Sequence, residues 1–426
     1  MQSMENAPLA SSSGTPTDRL RVAYVLGTFP QPSERFAWRE ILELQRQGCH
    51  VLVLALARGK ADSDMEPGLR NTQVLYRPRL LSAVSLASFR QWVHHPASVC
   101  RLLWRICVLG ARSPACSLRL VRNLHAVALF AQVVRQERID CLHGYFLNLP
   151  GLLAMAVSTC TDIPFTLAGH ARDVFVEPAP LAHLLSRARA VVVCNADAAQ
   201  TLEQVARGQY SHKVHLVHHG IDLEEWKVPR TDRADDPASI LAAGRWVPKK
   251  GYAVLLRSCA LLRSRGVRFR LILAGDGPCK QELAAQIERD DLAACVELPG
   301  WLSQAALRTF LQRASLLVVP SIIAEDADRD GLPNVVLEAA ASGIPTVASQ
   351  LTGISEFVRH GQTGLLVPPG DPVALADAIE RLLQTPDLCR TLGHHARALI
   401  EREYDVRDSV TTIRHLLSAS HGAARP

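Results

Sequence analysis

The absences in this chain narrow its function before any motif is read. Its 11 cysteines, scattered from Cys49 to Cys389, form no CxxC pair and no Cys/His spacing suited to zinc. They read as small buried apolar residues in a reducing cytoplasm, not as a disulfide framework. No run of about 18 residues is both strongly apolar and free of charge, so no membrane span is expected. Aromatic residues make up 5% of the chain, which offers little for base stacking. No recognition motif is present either, so nucleic acid is not an expected partner. The loop after the first expected strand is not GxGxxG, which removes the dinucleotide fingerprint. Residues 1–19 are polar and small, lack the apolar core of a signal peptide, and read as a disordered tail.

What remains is a globular chain of 426 residues, 48% hydrophobic and 21% charged, too long for one ordinary core. The net charge is +6, but ten arginines fall between Arg77 and Arg138 against a single acid, Glu137. Residues 80–135 are helical in composition, with Trp92 and Trp104 among His94, His95, Arg101 and Arg105. A basic amphipathic face with interfacial aromatics suits an anionic membrane surface. The plainer alternative is a helix pair packed on the domain with solvated arginines.

Apolar runs and helical patterns alternate along the chain. Arg21–Gly27 and Val51–Leu56 flank a helical pattern that Ser33 precedes, and further strands end at Gly144, Ala168, Cys194 and Val217. Such βαβ units build parallel sheets with right-handed crossovers. Residues 229–238, charged and flanked by proline, form the best linker. A second alternation follows, with strands at 240–243, 270–274, 296–298, 316–319, 344–349 and 364–367, and two helices to close. The expected fold is α/β, two Rossmann-like domains facing across a cleft. The boundaries are 20–225 with its basic region 77–138, then 239–403, then a helix at 404–420 packing back toward the first domain.

The second half centres on Asp330-Gly331-Leu332-Pro333-Asn334 and, eight residues past Asp330, Glu338. Leu316–Val319 reads as a buried strand, Pro333 suits a first helical turn, and Gly343 suits the residue past a helix end. Ligands bind in open α/β sheets at such strand-exit loops, where a helix N-terminus favours phosphate. Gly244, Arg245 and Lys250 share another strand-exit loop. An arginine fork and a lysine point charge there match a diphosphate. His170 lies in a third such loop. Asp326, Asp328 and Asp330 imitate metal motifs, but Leu337 occupies the twelfth position of the would-be EF-hand loop, so no metal is expected.

Several ordered motifs together resemble the GT-B glycosyltransferases, in particular the large retaining family 4 (glycosyl transferases group 1). They are Gly244-Arg245 with Lys250-Gly251, Ala274-Gly275-Asp276-Gly277-Pro278, the acid-x7-acid stretch and Ser342-Gly343-Ile344-Pro345. Gly169-His170-Ala171-Arg172-Asp173 and His219-Gly220-Ile221-Asp222 resemble the family more loosely. Phe29-Pro30, Ser33-Glu34 and Arg329–Asn334 resemble its exopolysaccharide and colanic-acid-type branch.

The resemblance implies a hexosyltransferase that uses a nucleotide-sugar donor, no cofactor and no metal. Its acceptor would be lipid-linked or polysaccharide, in cell-surface polysaccharide biosynthesis on the inner face of the cell membrane. It assigns Arg245 and Lys250 to the donor diphosphate, Asp330 to the sugar hydroxyls and Glu338 to the ribose. Gly331 and Leu332 would seat sugar and phosphate, and His170 would reach the transferring sugar. Most members carry Glu where this chain has Asp330, which leaves the sugar open. A GT-B epimerase or phosphorylase, or a binding-only nucleotide or glycan receptor, are the alternatives.

Overall fold

A computed structural model describes residues 19–31, 34–59, 67–80, 82–175, 180–226 and 238–422. The expected tail apart from residue 19, Ser33, and the expected linker apart from residue 238 lie outside them.

Two wholly parallel sheets organise the chain. The first holds β1 (Arg21–Phe29), β2 (His50–Arg58), β3 (Gln73–Tyr76), β4 (Cys141–Tyr145), β5 (Phe165–Gly169), β6 (Val191–Val193) and β7 (Val214–Leu216). Their order is β3-β2-β1-β4-β5-β6-β7. The second holds β8 (Ala238–Ala243), β9 (Phe269–Ala274), β10 (Val296–Glu297), β11 (Leu316–Val319), β12 (Thr346–Ser349) and β13 (Gly364–Val367). Its order is β10-β9-β8-β11-β12-β13. Strand order reverses between β1 and β4 in one sheet and between β8 and β11 in the other. These reversals open crevices at the carboxyl ends of the strands.

The layering follows from the period-2 geometry of strands buried on both faces. In β1, Val22, Tyr24 and Leu26 meet Trp38 and Ile41 of the helix Arg35–Arg46 on one side. Ala23 and Val25 turn to the other side, toward Val127 and Phe130. In β8, Ile240 and Ala242 pack with Leu255, while Leu241 packs with Leu337 and Ile344. Fully buried side chains such as Leu52 and Leu54 contribute about 1.5–3 kcal/mol each.

The close of the chain differs from expectation. Three helices end it, Pro372–Gln384, Pro386–Glu403 and Val406–Gly422, where two were expected, with Pro386 opening the middle one. The chain recrosses beside Ile221, whose N–H donates to the Tyr404 carbonyl at 2.9 Å while the Val406 N–H donates to the Ile221 carbonyl at 3.1 Å. Val406, Val410, Ile413 and Leu417, a helical i, i+4, i+7, i+11 stripe, then join the first domain's core. β3 was not expected. It is a four-residue edge strand with no fully buried side chain, and an apolar run as short as Val74-Leu75-Tyr76 does not by itself mark a strand.

The basic region forms four helices, Ala83–Val93, Pro96–Arg112, Pro114–Val121 and Leu124–Gln136. Trp92, expected at a membrane interface, is 4% exposed and packs in the core with Leu102 and Ile106. The helical face that carries it turns inward. Trp104 is 61% exposed.

Candidate active site

The two crevices face one another across a cleft of about 450 Å³, within the range of small-molecule sites. Its walls hold His170, Gly244, Arg245, Lys250, Asp330, Gly331, Leu332 and Glu338, all eight site residues singled out from the sequence.

The wall from the second domain is ionic. After β8 the chain makes a single turn, Pro248–Lys250, stopped by Gly251 at φ +66. A Cβ on Gly251 would lie 1.9 Å from the Pro320 carbonyl oxygen, so glycine is required there both for conformation and for close approach. This packing locks the lysine turn against the β11 exit loop. Lys250 Nζ sits 2.8 Å from Asp330 Oδ2, and the Ser321 hydroxyl donates to the same oxygen at 2.6 Å. Lys249 is buried, 2.9 Å from Asp328 Oδ1 and 3.7 Å from Asp330 Oδ1. Burial pushes the Asp330 carboxyl upward, but Lys250, Lys249 and the hydrogen bonds from Lys250 and Ser321 outweigh it and hold it below the ordinary carboxylate value. Arg245 is exposed at the cleft wall.

Lys249 and Ser321 escaped the sequence reading, and Asp328 entered it only as part of an imitated metal motif. The doubled lysine was the one signal for Lys249, and the buried member of the pair is the one left out. Lys249 also bears on the metal question. Its ammonium pairs with Asp328 and approaches Asp330, so two of the three aspartates that imitate a metal motif face a fixed cation. Among the described residues no group of three or more His, Cys, Asp or Glu is arranged to hold a metal ion.

Glu338 lies in the helix Asn334–Ala341, and Pro333 caps that helix from outside in extended conformation instead of opening its first turn. Its carboxylate receives Arg39 from the opposite domain at 2.7 Å and Gln304 at 3.3 Å. Both partners of the Arg39–Glu338 pair are almost fully buried, with side chains 7% and 5% exposed. Arg39 was missed because it sits on the buried face of an amphipathic helix, 299 residues from its partner. The domains also meet through Arg329 on Asp197, at 2.9 and 3.1 Å. Gly331 abuts Asn195, where a Cβ would lie 2.5 Å from Nδ2.

The wall from the first domain is made of rings. His170 stacks on His219 at 5.2 Å and 10°, and lies 4.6 Å from Phe146 and 5.0 Å from Phe36. Asp173 Oδ1 accepts the His170 backbone N–H at 2.9 Å, fixing the loop. The His170 Nδ1 is buried and has no hydrogen-bond partner among the described residues. Burial, with His219 and His143 beside it, holds the ring well below the ordinary histidine value. It is therefore neutral near pH 7, a hydrogen-bonding group and a poor base. Beneath the rings Glu40 accepts from Tyr24 at 2.5 Å and from Tyr145 at 3.0 Å. Burial raises Glu40 to about 7 against the pull of both tyrosines.

Two facing Rossmann-like domains with a cleft between their strand ends are the GT-B arrangement. Comparison with known proteins agrees and narrows it: residues 33–225 match the model described as Glycosyltransferase Family 4, and residues 237–385 match Glycosyl transferases group 1. Together these take in most of the chain, which belongs to the family 4, group 1 glycosyltransferases.

Among its relatives, the amylovoran biosynthesis glycosyltransferase AmsK of Erwinia amylovora is 33% identical over 201 residues, 47% of this chain and 49% of that protein. A colanic acid biosynthesis glycosyltransferase described as putative, WcaL of Escherichia coli K12, is 27% identical over 405 residues, 91% of this chain and 96% of that one. The chain thus spans about half the length of the first relative and nearly all of the second. Anabaena HepE, crystallised with UDP, superposes with a TM-score of 0.69 at 19% identity over 94% of this chain and 100% of its own. A glycosyltransferase from Rickettsia africae gives 0.69 at 13%, over 95% and 99%. These two likenesses speak for the fold. Among the described residues no helix is long and apolar enough to cross a membrane.

Proposed function

We propose that this glycosyltransferase moves a hexose, with retention of anomeric configuration, from a nucleoside diphosphate sugar to a lipid-linked or polysaccharide acceptor in exopolysaccharide assembly. The observation that carries the reading is the ionic wall: Arg245 and Lys250 line the same cleft as Asp330 and Glu338. Breaking the anomeric C–O bond puts negative charge on the departing diphosphate. Fixed cations stabilise that charge as it forms, each worth about 3–4 kcal/mol. Lys250 is pre-positioned by Asp330, and Asp330, kept ionised, accepts sugar hydroxyls. Glu338 takes the ribose hydroxyls. The words attached to the relatives, amylovoran and colanic acid biosynthesis, support the pathway class, and the UDP in HepE supports a nucleoside diphosphate donor.

In this reading the acceptor oxygen attacks the sugar on the face the diphosphate leaves, and the leaving phosphate oxygen takes the acceptor proton. His170 hydrogen-bonds the transferring sugar from the facing wall. No metal takes part, because Arg245 and Lys250 supply the charge. The enzyme works at the cytoplasmic face of the membrane. Supporting this placement, Trp104, Leu103, Leu86 and Leu118 stand exposed on helices that also carry Arg90, Arg101, Arg105, Arg112 and Arg119. Exposed apolar side chains amid arginines suit an anionic lipid surface.

The test is product analysis. The protein is incubated with UDP-, GDP- and ADP-hexoses and a membrane extract from the producing cell, and the new glycosidic linkage is read by NMR. Retained configuration, with a rate unchanged by EDTA, is the expected result. An inverted linkage or a metal requirement would contradict it.

A further inference from the structure

One carboxylate in the cleft has no task in the account above. Glu34 lines the cleft beside Phe36, Phe146, His170 and His219, on the first domain's side. It occupies the N-cap position of the helix Arg35–Arg46, yet its side chain makes no capping hydrogen bond. Its backbone N–H is already tied to the Gln31 carbonyl at 2.9 Å. Among the described residues its carboxylate makes no hydrogen bond or ion pair. The charged group that acts on it is Arg245, from the opposite wall. A carboxylate taken partly out of water without a partner is costly, and nothing in the fold requires this one.

We propose that Glu34 and the adjoining rings form the subsite for a sugar ring of the acceptor, with the Glu34 carboxylate accepting a hydrogen bond from an acceptor hydroxyl. The inference rests on the transfer reading given above and adds the acceptor's place to it. Phe36 stacks on His219 at 4.6 Å and 26°, and His219 stacks on His170. The platform is thus a layer of neutral rings. Apolar ring faces with one convergent polar group are what a hydroxylated ring needs, stacking its C–H face while a hydroxyl points to the acid. A carboxylate would repel a phosphate, so this position does not suit the donor's diphosphate. It does suit a neutral hydroxyl brought up beside Arg245, where the bond to the diphosphate breaks.

Protonation supplies an independent signature. Burial lifts Glu34 to about 7, with Arg245 pulling it down. The other groups facing the platform hold their charge near neutrality. Burial keeps His219 at about 3 and His170 well below its ordinary value, while Tyr145 is raised well above its own. Arg245, and Arg35 on the helix that Glu34 caps, line the same cleft. Glu40, behind Tyr145, is also raised to about 7, so the Glu34 variant must separate the two.

The experiment is saturation-transfer NMR on the full chain with methyl glucosides, galactosides and mannosides, UDP, GDP or ADP being present at saturation. At least one glycoside should bind the wild type at pH 8 and weaken as pH falls to 6. In Glu34→Gln that glycoside should bind about tenfold more weakly, the loss of one charge-assisted hydrogen bond, with the pH dependence gone and nucleotide affinity within twofold. Glu34→Asp should keep the pH dependence, and Phe36→Leu should lose the stacked ring and weaken binding without altering it. Equal glycoside affinity in wild type and Glu34→Gln, a pH dependence that survives in Glu34→Gln, or no glycoside bound to the wild-type nucleotide complex would overturn the subsite. Failure of every nucleotide to bind would count instead against the transfer reading.

Discussion

The two walls of the cleft are built on opposite electrostatic plans. On the second domain's side, Lys249, Lys250, Asp328 and Asp330 form a buried, mutually paired cluster in which the lysines hold Asp330 below the ordinary carboxylate value. On the first domain's side burial holds His170 and His219 well below the ordinary histidine value and raises Glu40 to about 7. One wall stores charge and the other excludes it. Such a division fits a reaction in which charge develops on a diphosphate held by one domain while a neutral hydroxyl approaches from the other. Arg39–Glu338 is the exception, a buried ion pair that crosses from wall to wall.

The contrast can be broken most severely at that exception. Arg39→Met leaves Glu338 buried with only Gln304 as a partner, and removing one member of a buried pair costs roughly 3–5 kcal/mol. Denaturant unfolding should show that loss without ligand. Nucleotide should stabilise this variant more than the wild type, because ribose hydroxyls then satisfy a bare carboxylate. An unchanged midpoint would mean the pair does not hold the domains.

Next in size is Lys250→Ala, expected to lower the transfer rate by about 10²–10³ through loss of one fixed cation at the leaving group. Folding should suffer less, since Lys249 remains 3.7 Å from Asp330. Steady-state kinetics beside a melting curve separates the two effects.

Glu40→Gln sharpens the neutral wall. Its folded-state value of about 7 lies above the ordinary 4.5, so the folded protein holds this proton more tightly than the unfolded chain. The resulting stability is fully present below about pH 4.5 and is lost as pH rises through 7. Glutamine mimics the protonated acid and has no such loss. Relative to the wild type, the variant should gain roughly 3 kcal/mol between pH 4.5 and 8, from 1.36 kcal/mol per unit. Parallel stability profiles for the two proteins would refute the assignment.

The smallest effect lies outside the cleft. Trp104→Ala should weaken binding to anionic vesicles several-fold and leave melting unchanged, as its ring is 61% exposed. Vesicle sedimentation at low and high salt reads this directly.

Local pattern revealed some of these features and missed others. Strand-exit loops are short-range events, so Gly244, Arg245, Lys250, Asp330 and Glu338 could be located from an apolar run, a proline and a glycine. What each side chain touches is long-range. Arg39 and Glu338, 299 residues apart, meet only after two domains close, and neither residue's own neighbourhood announces it. Lys249 and Lys250 are adjacent and chemically alike. Packing of Gly251 on Pro320, not sequence, decides that both turn inward onto aspartates. Trp92 and Trp104 share one basic stretch, yet only tertiary packing shows that Trp92 faces the core. Glu40 is invisible for a similar reason. It reads as the polar side of a helix until Tyr24 and Tyr145 arrive from β1 and β4.

The most direct test of the account is thermal stabilisation by UDP, GDP, ADP, CMP and NAD, each with and without EDTA, in the wild type and in Lys250→Ala. A ligand at a hundred times its dissociation constant stabilises by about 2.7 kcal/mol. The account predicts a shift with one nucleoside diphosphate, unchanged by EDTA and lost in Lys250→Ala. A shift that requires metal, one that survives in Lys250→Ala, or none with any of the five would contradict it.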